Sequence, residues 1–146
     1  MFGPLEIQLC SIQGRLFELS LKKGFASESF INRFMKSKCA ADYDMSHNRL
    51  QWLGEGYIME ELIEECGDRL AKGEQYSKDQ MFWIGYTYRY WHFLTGESSK
   101  KIVAQVPAKV MRMGYEGFHT EDMTLAIEDL KAVSKVRRRN GGLGRI

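Results

Sequence analysis

The stretch from residue 79 to residue 95, DQMFWIGYTYRYWHFLT, constrains the fold more than any other part of the sequence. Its large apolar and aromatic residues are Met81, Phe82, Trp83, Ile84, Tyr86, Tyr88, Tyr90, Trp91, Phe93 and Leu94. At about 100° per residue they point in nearly every direction around a helix, which is typical of the central helix of a domain. The exception is one narrow stripe of small or polar residues, formed by Gly85, Arg89, His92 and Gly96. We therefore expect the helix to be buried on three sides and open on this fourth side, the candidate functional surface.

The rest of the sequence is consistent with a helical domain around this stretch. A chain of 146 residues, 44% hydrophobic and 27% charged, fits one globular domain with a sizeable core. No stretch alternates apolar and polar residues between hairpin turns. The sequence predicts an all-α, single-domain helical bundle of about five long helices plus one or two short ones around the central helix at 79–95. We expect this domain to cover residues 1–136, and residues 137–146, which are basic and rich in glycine, to form a flexible tail.

Capping and stop signals predict where the helices begin and end. Ser77 and Gln80 have the spacing of a capping box that opens the central helix, and Gly96 stops it. Gly24 is expected to end the first helix, and Thr120 to cap the last one. The other expected helices cover about 4–23, 27–41, 46–66, 98–103, 107–114 and 120–136.

Cysteine content and hydropathy limit the class of protein. Cys10, Cys39 and Cys66 are odd in number and far apart, so a disulfide framework is not expected. A metal site from Cys39, His47 and Cys66 would lack the close-spaced ligand pairs of zinc sites, and no metal or cofactor is expected. No apolar run approaches the roughly 20 residues of a membrane span, and the first residues do not read as a signal peptide. The expected localisation is cytoplasmic, without a membrane partner.

The polar stripe contains the side chains that are best suited to ligand binding or to acid–base chemistry. Arg89 and His92 lie among apolar neighbours, where they could hold an anion or act in acid–base chemistry. The favoured alternative is structural, with Arg89 paired to a carboxylate of a neighbouring helix and His92 to a backbone carbonyl. No catalytic motif accompanies them, so the chain is not expected to be an enzyme. The expected partner-binding residues are Tyr86, Arg89, His92, Glu97 and Lys100, together with the acidic residues Glu60, Glu61 and Glu64.

The charge distribution indicates a second kind of partner. Residues 131–146 contain six basic residues and no acidic one, whereas the remainder carries 19 acidic residues against 15 basic ones. An acidic body with a basic end is compatible with nucleic-acid binding. In that alternative the contacts would come from Lys101, Arg137, Arg138 and Arg139. A helix-turn-helix within residues 96–114 is disfavoured, because its second helix would be short and would start at a proline.

Four segments resemble one protein family. They are WIGYTYRYWHFLTGESSKKI (83–102), FHTEDMTLAIEDLK (118–131), ESFINRFMKS (28–37) and RLQWLGEGYIMEEL (49–62). In this order the chain resembles, over about residues 27–131, a family of small uncharacterised bacterial proteins associated with toxin–antitoxin-like operons that carry ADP-ribosyltransferase-like toxins. The resemblance implies an antitoxin-like protein that binds and neutralises a partner toxin encoded nearby. A nucleic-acid-binding regulator remains the alternative.

Overall fold

The computed structural model describes residues 2–46 and 48–144, with side chains up to residue 140. Over these residues the fold is all-helical, with eight α-helices, two short 3-10 helices and no strand, so the predicted class is confirmed. The α-helices are α1 (Pro4–Lys22), α2 (Ser27–Met35), α3 (Lys38–Asp44), α4 (Gly54–Cys66), α5 (Lys78–Thr95), α6 (Ser99–Gln105), α7 (Ala108–Phe118) and α8 (Met123–Gly144). The 3-10 helices cover Arg49–Trp52 and Gly67–Arg69.

The structure has more helices than the sequence predicts because two expected helices are interrupted. The first interruption is at Ser37, whose hydroxyl accepts a hydrogen bond from the Ala40 backbone N–H and so begins α3. The second lies after residue 46, where Asn48 caps a 3-10 turn instead of Ser46 capping an α-helix. The α-helix α4 begins only at Gly54, whose positive φ of 79° marks the break between the two segments.

The two C-terminal helices are longer than expected. Helix α7 has 11 residues. Helix α8 begins at Met123 rather than near Thr120, with the Asp122 carboxylate accepting the Thr124 backbone N–H. Residues 137–144, predicted as a flexible tail, continue α8 as helix, while residues 145 and 146 lie outside the described residues.

Helix α5 forms the centre of the molecule, and its predicted boundaries are confirmed. The Ser77–Gln80 capping box is present in both directions, and Gly96 ends the helix in the left-handed conformation, with φ of 78°. Helices α1, α6, α7 and α8 all pack against α5. Its buried side chains include Met81, Ile84, Tyr88 and Trp91. This burial on most sides is what the all-round apolar pattern of the sequence predicts.

Helix α1 runs antiparallel to α5 and approaches it closely at Gly85. The Gln13 side-chain amide donates to the Gly85 carbonyl over 2.9 Å. A Cβ at residue 85 would lie 2.6 Å from the Gln13 carbonyl oxygen and 2.9 Å from the Phe17 ring. Only glycine therefore allows the two backbones to lie at this distance.

Gly85→Ala is accordingly expected to lower the free energy of unfolding by about 1–3 kcal/mol, the usual cost of overpacking a core. The measurement is urea denaturation followed by circular dichroism. The matched control is Gly56→Ala in α4, where a Cβ would meet no atom within 4 Å. That control should be neutral or stabilising by up to about 1 kcal/mol, because alanine favours the helix. Equal stability of both variants would contradict the close packing of α1 on α5.

Candidate functional site

Arg89, the centre of the polar stripe, is buried and fully paired inside the protein. Its side chain is 1% exposed. The guanidinium donates to Asp44 Oδ1 over 2.6 Å, to Gln13 Oε1 over 2.8 Å and to Ser99 Oγ over 3.3 Å. It also lies 4.4 Å from the centre of the Tyr43 ring, a cation–π distance. The favoured alternative for Arg89, pairing with a carboxylate of a neighbouring helix, is therefore present. The expected opening of the stripe is wrong at Gly85 and Arg89, because the absence of a side chain at Gly85 lets α1 cover both.

Asp44 is the residue that the sequence reading missed in this network. It is the last residue of α3, and the sequence placed it in a connecting segment. Its carboxylate accepts the Ser99 backbone N–H over 2.8 Å and the Ser99 hydroxyl over 2.7 Å, in addition to Arg89. One carboxylate thus joins the end of α3 to α5 and to the start of α6. No local sequence signal identifies such a joint, because its partners are 45 and 55 residues away.

His92 lies at the outer edge of the same network. Its Nδ1 atom is 2.7 Å from the Glu97 carbonyl oxygen and 3.8 Å from Asp44 Oδ1. The ring is also in edge contact with Phe93, at 5.2 Å between centroids. The His92 side chain is partly exposed, so this residue connects the buried network to the surface.

Glu97 is held by hydrogen bonds at the end of α5. Its two carboxylate oxygens accept from Trp91 Nε1 and from Gln105 Nε2, each over 2.8 Å. Burial acts to raise the pKa of the Glu97 carboxyl, but the hydrogen bonds together outweigh it and hold that pKa below the ordinary value. Through these two bonds the Glu97 carboxylate connects Trp91 of α5 to Gln105 of α6.

The side of α5 that remains open is aromatic rather than polar. Phe82, Tyr86, Tyr90 and Phe93 recur at spacings of three or four and are all partly exposed. Their rings follow one another, with centroids 6.0 Å apart for Phe82 and Tyr86 and 6.4 Å for Tyr86 and Tyr90. Phe2 continues the series, 4.6 Å from Tyr90 and 6.0 Å from Phe93. We call these five residues the aromatic row.

A second exposed apolar feature lies in the segment between α3 and α4, which we call the Trp52 loop (residues 45–53). Trp52 is 66% exposed, and Met45 and Leu53 are also exposed. The sequence predicts a continuous third helix over about residues 46–66, which would include Trp52 and Leu53. The chain instead forms a 3-10 turn before the α-helix begins at Gly54. The side chains of Trp52 and Leu53 therefore do not follow the periodicity of that α-helix.

The first residue of the Trp52 loop lies near the C-terminal end of the aromatic row. Met45 directly follows Asp44, and Asp44 Oδ1 lies 3.8 Å from His92, which in turn contacts Phe93. The buried Arg89–Asp44 pair thus fixes the start of the loop beside the C-terminal end of the row.

The acidic residues of α4 are partly used within the protein. Glu61 pairs with Arg49 over 3.2 Å, and the Glu65 carboxylate accepts the first two backbone N–H groups of α3. Glu60 and Glu64 are exposed, and Glu61 and Glu64 line a shallow cleft of about 260 Å³. Of the three acidic residues predicted to bind a partner, Glu61 is therefore already paired within the protein, whereas Glu60 and Glu64 are exposed.

The basic candidates lie on two helices. Lys100 and Lys101 are exposed in the first turns of α6, and Lys101 Nζ is 3.9 Å from the Glu97 carboxylate. Arg137, Arg138 and Arg139 are exposed on α8. Lys100 makes no ion pair within 4.0 Å to any part of the chain that the structure describes.

The three cysteines are buried free thiols. Burial raises the pKa of Cys10 and of Cys39 to about 12, so at neutral pH both thiols are protonated and weak nucleophiles. His47, considered above with Cys39 and Cys66, lies outside the described residues. Among the described residues, no group of three or more His, Cys, Asp and Glu is arranged to hold a metal ion.

Comparison with known proteins gives no relative for this chain. No protein-family model matches the sequence, and no curated protein and no solved structure matches it either. Over the described residues, none of the helices has the length and hydropathy that crossing a membrane requires.

Proposed function

We propose that this chain is a non-enzymatic protein-interaction module that binds a protein partner through the aromatic row and the Trp52 loop. The observation that carries the proposal is the partial exposure of a row of large aromatic side chains on the central helix, together with the exposed Trp52 in the segment between α3 and α4. Solvent-exposed apolar clusters of this kind are characteristic of binding surfaces. Tryptophan and tyrosine are also the residue types that dominate interface energies, because they combine a large apolar area with a polar atom.

The shape of the surface favours a helical partner segment. The aromatic row spans residues 82–93 of α5, which at 1.5 Å per residue is a length of about 16 Å. An amphipathic helix of about three turns, with apolar residues at spacings of three and four, can lie along such a row. Trp52 would then contact the partner beyond the end of the row.

The resemblance described above narrows the partner to a toxin encoded nearby. In this reading the mechanism is occlusion, in which a preformed helical surface covers the toxin's active site. The segments that carry the resemblance include both parts of the surface, because residues 83–102 contain most of the row and residues 49–62 contain Trp52.

Trp52→Ala and Tyr86→Ala are expected to weaken partner binding by about 2 kcal/mol each, roughly 30-fold, while the melting temperature changes little. The protein is co-expressed with the product of the neighbouring gene, and growth rescue and co-purification of the two proteins are measured. The matched control is Met113→Ala, which removes an apolar side chain that is 56% exposed on α7. Rescue by the wild type and by Met113→Ala, but not by Trp52→Ala, is the expected result.

The proposal is overturned if folded Trp52→Ala and Tyr86→Ala bind and rescue as well as the wild type. Light scattering on the purified protein tests whether a second copy of the chain, and not a toxin, binds to this surface. A dimer that Trp52→Ala converts to a monomer would assign the surface to a second copy of the chain instead of a toxin.

A further inference from the structure

The second half of α8 extends beyond the packed body of the protein. Up to residue 140, where the described side chains end, Ser134 is its last buried residue, and the Ser134 hydroxyl donates to the Gln105 carbonyl over 2.7 Å. Every residue from 135 to 140 is exposed, although the helix continues to Gly144. Six consecutive exposed residues cover all directions around a helix, so no neighbouring element packs on this part. Residues 135–144, which we call the α8 arm, form a projection of about 15 Å at 1.5 Å per residue.

The α8 arm carries positive charges that are not paired with any described carboxylate. Among the described residues, no carboxylate lies within 4.0 Å of Lys135, Arg137, Arg138 or Arg139. Lys131, one turn earlier, belongs to the packed body instead, with its ammonium 5.0 Å from the Trp91 ring. Like charges at i, i+4 disfavour a helix, and a helix without tertiary contacts is only marginally stable in water. A bound polyanion would neutralise these positive charges and so stabilise this part of the helix.

We propose that the α8 arm binds the phosphate backbone of double-helical DNA. Its charged side chains point in different directions, so the arm fits a groove with phosphates on both sides better than a flat anionic surface. Consecutive side chains on a helix point about 100° apart. The side chains of Arg137 and Arg139 are therefore about 200° apart around the axis and point in nearly opposite directions. The major groove is about 12 Å wide, admits an α-helix and has a phosphate strand on each side. Arginine suits this contact, because its planar guanidinium can donate two hydrogen bonds to one phosphate.

Two other anionic partners fit the arm less well. A membrane-binding helix needs a broad apolar face, and among residues 135–144 the large apolar residues are only Val136 and Leu143. An acidic protein partner would require charges on one side of the arm, whereas the three arginines diverge. Because the diverging arginines are assigned to the phosphate strands on the two sides of the groove, binding should be largely independent of sequence and dominated by phosphate contacts. This inference is independent of the proposed docking surface on α5.

Binding to two unrelated 20-base-pair duplexes is measured by fluorescence anisotropy between 50 and 200 mM KCl. With about four phosphate contacts, the logarithm of the association constant should fall against the logarithm of salt concentration with a slope of roughly −3.5. Arg137→Gln combined with Arg138→Gln and Arg139→Gln should weaken binding at least tenfold and reduce the slope by about 2.7. Its melting temperature should stay unchanged, because these side chains contact nothing in the body.

The matched control removes the same charge elsewhere, by combining Lys22→Gln, Lys23→Gln and Lys36→Gln at exposed positions. It should bind within about twofold of the wild type. Equal weakening of both triple variants would assign binding to net charge and overturn the role of the arm, as would wild-type binding by the arginine triple variant. Stronger binding of poly-glutamate, of vesicles with anionic lipids or of single-stranded DNA at the same salt concentration would overturn duplex binding.

Discussion

Arg89→Met is expected to lower the free energy of unfolding by about 3–5 kcal/mol. Methionine approximates the apolar part of arginine but leaves the Asp44 carboxylate without its buried countercharge and Gln13 Oε1 without its donor. Removing one member of a buried ion pair is costly because the other charge remains in a poorly solvated position. Urea denaturation followed by circular dichroism provides the measurement.

A surface arginine serves as the control for this prediction. Arg49 also pairs with a carboxylate, that of Glu61 over 3.2 Å, but its side chain is largely exposed. Arg49→Met should leave the urea midpoint almost unchanged, because exposed ion pairs contribute little. Asp44→Asn in the Arg89→Met background should cost less than it does in the wild type, since the two residues share one interaction. A loss below about 1 kcal/mol for Arg89→Met would contradict the structural role of the pair.

Trp91→Ala is expected to destabilise the protein by a similar amount, about 3–5 kcal/mol. The indole is completely buried, its Nε1–H donates to Glu97, and Lys131 lies over the ring. Emptying this site removes the apolar contacts of the largest side chain in the core and leaves a cavity that the surrounding helices fill only in part. The thermal melting temperature and the urea midpoint should both fall.

Trp52→Ala is the natural comparison, because it removes the same side chain from an exposed position. Its expected effect on stability is within about 0.5 kcal/mol. The same pair of variants separates fold from function, since Trp52→Ala should impair only partner binding. Similar melting temperatures for the two tryptophan variants would contradict the central position of Trp91.

The buried network and the proposed docking surface are connected through Asp44. The carboxylate holds the end of α3 against α5 and α6, and the Trp52 loop starts at the next residue. A polar network of this kind fixes one arrangement of the helices, because any other arrangement would leave its groups without partners. Asp44→Asn should therefore also weaken partner binding, although the residue itself is largely covered.

The sequence alone determined the features that depend on local interactions. The all-helical class follows from apolar residues at helical spacing, and the ends of α5 follow from a capping box and a glycine that adopts positive φ. These signals act within about one turn of helix, so they are visible in any short window of sequence. The central position of α5 also follows from its pattern, because a helix that is apolar on nearly every side has to be covered.

Only the tertiary structure decided which side of α5 stays open. The helical wheel favoured the stripe with Gly85 and Arg89, because polar and small residues are usually exposed. Gly85 instead allows α1 to approach closely, and Asp44 and Gln13 satisfy Arg89 from positions 45 and 76 residues away. The aromatic residues are consequently left partly exposed, and a 3-10 turn leaves Trp52 exposed in the segment before α4. Burial depends on which segments meet in space, and the pairing of distant residues cannot be obtained from the periodicity of one helix.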